Sequence, residues 1–145
     1  MLDCLVDFHC RAAEFVENCL ERQESERVRM VLQYLAEHHR RLQEAIADYE
    51  ADAERAVLDT YIAFALMEDD TPESFVDGLS CPAGLGLEEV VALAQALGDY
   101  PVTLLNDVLA AVENPHVAEV FTNLRDLEVQ ERKLLSRAVD TLLDL

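Results

Sequence analysis

The sequence predicts an all-α protein built as two αα-hairpins joined by a long crossover. Three observations carry this. Breakers are few: 145 residues hold only 4 Gly and 4 Pro, with 51% hydrophobic residues, a composition that favours helix. Apolar residues recur in steps of three and four along most of the chain. Most of the turn-forming residues lie in one stretch, 67–86. The length suits a single domain, 1–145, with a sizeable core.

The first helix is expected over residues 2–22. Leu2, Leu5, Ala12, Val16 and Cys19 form its apolar seam, and His9 sits inside that seam. Residues 21–24 are a polar break, and Ser25 is a good N-cap for a second helix beginning at Glu26. On that helix Val28, Val31, Leu32, Leu35, Leu42 and Ile46 share one face, with His39 where another Leu would be expected. A polar group in a core-facing row must find a partner or bear the cost of desolvation. The first hairpin spans 2–49. Nothing between 50 and 66 is a strong breaker, so the helix is expected to continue and overhang the bundle. Val57, Tyr61 and Phe64 would give the overhang an apolar edge, suited to a second copy of the chain.

Residues 67–86 hold Pro72, Gly78, Pro82, Gly84 and Gly86. A connection this long is what a crossover between parallel bundle helices requires, with Phe75 and Val76 expected to pin it. The extension and crossover together occupy 50–86. The second hairpin spans 87–143. Its first helix runs from Leu87 to about Glu113, with a kink expected at Pro101. Asn114-Pro115 is a helix start, Asn as N-cap and Pro in the first turn. The last helix points Val117, Val120, Phe121, Leu124, Leu135, Ala138 and Leu142 inward, interrupted by Glu128 and Glu131.

The halves echo each other. Sliding Val28 onto Val117 superposes Ser25 on Asn114, Val31 on Val120, Leu32 on Phe121 and Leu35 on Leu124 without a gap. Two such hairpins predict a pseudo-twofold four-helix bundle.

Paired helical hairpins with one long crossover resemble the ferritin-like superfamily, and the layout is similar to its rubrerythrin-like branch. The resemblance covers about 1–49 and 87–143 and implies a ferritin-like antiparallel four-helix bundle. It also implies where a di-iron centre would lie, since that superfamily takes a Glu from helices one and three and Glu-x-x-His from helices two and four. Here His9 stands at the first position, and Gly98, beside Asp99, at the third. The two motifs read His39-Arg40-Arg41-Leu42 and Glu128-Val129-Gln130-Glu131. No helix keeps the full pattern.

Four metal-capable side chains thus fall at core-facing positions: His9, His39, Glu128 and Glu131. Two imidazoles and two carboxylates suit a single Fe, Mn or Zn ion. Without metal, they would form a His–Glu cluster fixing helix register, with Glu128 accepting from His39 and Glu131 from His9. His38 points about 100° away round the helix from His39 and is expected at the surface, as is His116. There is no Gly-rich phosphate loop, nucleophile elbow or Ser–His–Asp pattern, so no catalytic residue is assigned. The leading expectation is a non-enzymatic scaffold or interaction module that has lost di-iron chemistry and carries no cofactor. The alternative is a metal-binding protein or oxidoreductase with one ion at the four residues named.

Charge limits the partners. With 30 acids against 11 bases and a net charge of −19, the surface repels phosphate backbones and anionic membranes. Neither nucleic acid nor membrane is an expected partner; a homodimer through 50–66 is. No run reaches the ~18 apolar residues of a membrane span, and the start, MLDCLVDFHC, lacks the basic residues of a signal peptide. The expected location is the cytoplasm. Cys4, Cys10, Cys19 and Cys81 form no C-x-x-C and are expected to be reduced thiols.

Overall fold

The computed structural model describes residues 2–52 and 71–144. These form five helices: α1 (Leu2–Glu21), α2 (Glu26–Asp52), α3 (Pro72–Asp77), α4 (Leu87–Ala111) and α5 (Pro115–Leu143). The described residues contain no strand. The expected overhang and homodimer contact over 50–66 falls largely on 53–70, outside the described residues.

The caps follow the sequence closely. Asn114 Oδ1 accepts from the backbone N–H of His116 at 2.9 Å and of Val117 at 3.4 Å. The Ser25 hydroxyl accepts from Val28 N at 3.4 Å. α1 has no basic residue in its last turn, so its carbonyl end is met from outside. Arg29 on α2 donates to Leu20 O at 2.8 Å and Gln23 O at 3.0 Å, supplying both hydrogen bonds and positive charge to a helix C-terminus. Pro101 is buried inside α4, whose helical backbone runs on to Ala111.

α1 packs along α2, and α4 along α5. α2 also touches α4 and α5, while α1 touches α3 and α4. Two apolar clusters result. One gathers Phe8, Ala12, Val16, Leu32, Leu35, Leu97, Leu135 and Val139. The other gathers Leu5, Ile46, Leu105, Val108, Phe121 and Leu124. On α2 and α5, His39 and Glu128 fall between the two sets, and on α1 His9 follows Phe8, so a buried polar layer lies where the two apolar cores meet, with Leu104 on α4 touching both.

The connection into α4 is tied down at several points. α3 has a Thr71 cap, whose hydroxyl accepts from Ser74 N at 3.1 Å. Val76 is buried. Phe75 stacks on Tyr100 with ring centroids 4.5 Å apart, and Tyr100 on Phe8 at 4.6 Å. Buried Gln23 donates to Pro82 O at 2.9 Å and accepts from Leu85 N at 2.9 Å. Arg22 donates to Cys81 O at 3.1 Å.

Cys19 and Cys81 form a disulfide with Cα atoms 5.6 Å apart. This corrects the expectation of four reduced thiols. Spacing along one helix excludes pairing among Cys4, Cys10 and Cys19, but not with a residue that the connection brings back to the end of α1. Cys4 and Cys10 are free and half-buried. Among the described residues, no helix is long and apolar enough to cross a membrane.

A buried histidine and glutamate cluster as the candidate functional site

The seam of α1 delivers His9 to the core, that of α2 His39, and that of α5 Glu128. All three are buried, the two imidazoles completely. His9 Nε2 lies 2.6 Å from Glu128 Oε1, short enough for a charge-assisted hydrogen bond. His9 Nδ1 lies 2.9 Å from His39 Nδ1, so one ring must donate and the other accept. With Glu128 as a carboxylate acceptor, His9 donates from Nε2 and offers Nδ1 as a lone pair. His39 then donates from Nδ1, giving a directed chain His39 to His9 to Glu128. It ends at His39 Nε2, a buried atom without a hydrogen-bond partner among the described residues.

Aromatic rings crowd the pair. Phe8 meets His9 edge-on at 5.1 Å and His39 at 6.1 Å, while the two imidazoles stack at 5.1 Å. Burial above all, and then the neighbouring His9 and His38, hold the His39 pKa well below the ordinary imidazole value.

Three of the four expected residues meet, in an altered arrangement. Glu128 pairs with His9, not with His39. Glu131 does not reach His9; its Oε2 faces His38 Nδ1 at 3.9 Å. His38 is not at the surface but 2% exposed. α2 is flanked by α1 on one side and α5 on another, so its buried arc is wider than the stripe through His39. Burial chiefly, then the neighbouring His9 and Arg41, pushes the His38 pKa down to about 4. The sequence signal was available in the row Tyr34, His38, Arg41 and Ala45, whose residues share one groove facing α5. His116 is exposed, as expected.

The donors face one another instead of a common point. Both ring nitrogens of His9 are engaged by Glu128 and His39. Leu42 is buried but offers no donor. At Gly98 an added Cβ would lie 3.3 Å from Arg132 Cγ, and Asp99 turns outward to bind Arg132 at 2.7 Å. Among the described residues, no three His, Cys, Asp or Glu side chains are arranged to hold a metal. What the geometry does supply is a three-residue hydrogen-bonded tie across α1, α2 and α5.

Comparison with protein families, with curated proteins and with solved structures finds no match.

Proposed function

We propose that this chain is a non-enzymatic, ferritin-like four-helix bundle serving as a scaffold or interaction module, in which a hydrogen-bonded His–Glu layer replaces a di-iron centre. The observation that carries this reading is the chain His39–His9–Glu128. Its members bind one another at 2.9 and 2.6 Å instead of converging on an empty point. Two hairpins with a long connection between them support the ferritin-like topology. A buried polar tie of this kind sets register: sliding α1 against α2 or α5 would strand three buried polar groups.

The test is metal content. Protein purified without chelator should contain no stoichiometric Fe, Mn or Zn, and adding each ion should leave the melting temperature unchanged. Bound metal raises stability by mass action. Near-stoichiometric metal that disappears in His39→Ala would overturn the reading and favour a single-ion protein or oxidoreductase on His9, His39, Glu128 and Glu131. For location, the buried Cys19–Cys81 disulfide favours an oxidising compartment over the cytoplasm expected from composition. Acid-quenched thiol alkylation of the protein in its own cells decides between them.

A further inference from the structure

A cleft of about 330 Å³ opens between α2 and α5, outside the buried tie. Its polar groups are unspent. His38 lines the cleft at 2% exposure yet has no hydrogen-bond partner among the described residues, because Glu131 Oε2 at 3.9 Å is out of range. Glu131 has no closer partner among those residues. Arg41 lies over the Tyr34 ring, 5.6 Å from its centroid, and among the described residues no carboxylate pairs with it. In a chain with 30 acids against 11 bases, a cleft guanidinium that no described carboxylate pairs with is informative. The remaining walls are apolar, chiefly Leu42, Leu127 and Leu134, and Leu134 is 45% exposed.

We propose that this cleft binds a small zwitterion, an apolar α-amino acid. Its carboxylate sits on Arg41, its ammonium between Glu131 and His38, and its side chain against the leucines. The charges select this class. A simple anion would satisfy Arg41 but face the Glu131 carboxylate. A simple cation would satisfy Glu131 but face Arg41. A purely apolar molecule would desolvate both charges and pair neither. A ligand carrying both charges and a short hydrocarbon answers every group. One ammonium nitrogen about 2.8–2.9 Å from each acceptor can bridge a Glu131–His38 gap of this size, given a neutral His38 offering its Nδ1 lone pair. The volume lies at the small end of ligand pockets, as a single amino acid requires.

The test is titration of the intact protein with L-leucine and L-phenylalanine, followed by calorimetry and by the His38 ring resonances. Isocaproate, which lacks the ammonium, and isoamylamine, which lacks the carboxylate, serve as controls. At least one amino acid should bind and move the His38 signals. Both truncated analogues should bind roughly tenfold or more weakly than leucine, the share of one charge-assisted hydrogen bond. Arg41→Gln should remove the advantage over isoamylamine, and Glu131→Gln the advantage over isocaproate. Both sites reach solvent, so circular dichroism should confirm that the variants fold. The proposal is overturned if neither amino acid binds at millimolar concentration. It is equally overturned if either analogue matches leucine, or if binding survives in both variants with its preferences intact.

Discussion

Reducing the Cys19–Cys81 disulfide should lower stability by about 4 kcal/mol. The bridge closes a loop with a sequence separation of 62. Chain-entropy arithmetic for such a loop gives about 14 cal/mol/K withheld from the unfolded state, or about 4 kcal/mol at 25 °C. The folded state should change little. Gln23 still grips Pro82 and Leu85, and Arg22 still binds Cys81 O, whatever the state of the sulfurs. Reduction is cleaner than Cys19→Ala with Cys81→Ala, because the sulfurs are buried and the double variant also removes packing. The assay is urea unfolding with and without a phosphine reductant, read by circular dichroism. The midpoint should fall, and the slope should rise as the freed unfolded chain exposes more surface. In a thermal scan the shift should be about 10–15 °C. A loss under about 1 kcal/mol would refute the reasoning, since the connection would then be held by the Gln23 clamp alone. A native spectrum altered by reduction would refute the claim that the folded state is indifferent.

Acid should destabilise the protein through its neutral histidines. His38 is held at about 4, below the unfolded value of about 6.5, so its effect is absent above pH 6.5. It grows as the unfolded chain alone takes up protons, reaching about 3 kcal/mol near pH 4. His39 acts in the same direction, and stability that stays level between pH 7 and pH 4.5 in urea titrations would contradict this. Glu128→Leu should cost about 3 kcal/mol by stranding His9, while making His9, His39 and Glu128 all Leu should recover most of the loss. Equal instability in the triple variant would show that the tie contributes more than its desolvation removes. Gly98→Ala should be neutral or stabilising by up to about 1 kcal/mol, because helix propensity favours Ala. The side chain it presses, Arg132, is flexible and held by an exposed ion pair; a melting temperature lowered by several degrees would show that Arg132 cannot move.

Local chemistry made the helix boundaries legible. Ser25 and Asn114 carry their own caps, and the seams of α1 and α5 announce themselves in steps of three and four. The core placement of His9, His39 and Glu128 was readable for the same reason. Their pairing was not, because it depends on how each helix is rotated about its axis, which no spacing within one helix encodes. A small rotation exchanges Glu128 and Glu131 as the residue facing α1. The burial of His38 was hidden by reading α2 as having one buried face when α1, α4 and α5 all pack against it. The disulfide joins residues brought together only by the route of the connection, so helical spacing on α1 was silent about it.

The polar layer has a consequence for how the molecule opens. Each apolar core draws on α1, α2, α4 and α5, so neither hairpin owns a core and neither can leave alone. The cores themselves are unequal. The disulfide and the Gln23 clamp secure the end where α1 stops, while the Leu5–Ile46–Phe121 core at the opposite end has no crosslink. Amide protons on the far side of His9, His39 and Glu128 should therefore exchange through a lower opening free energy than those beside Cys19. Breathing then runs across the repeat rather than along it: one end of all four long helices loosens while the other stays closed, and the histidine layer marks the front where opening stops.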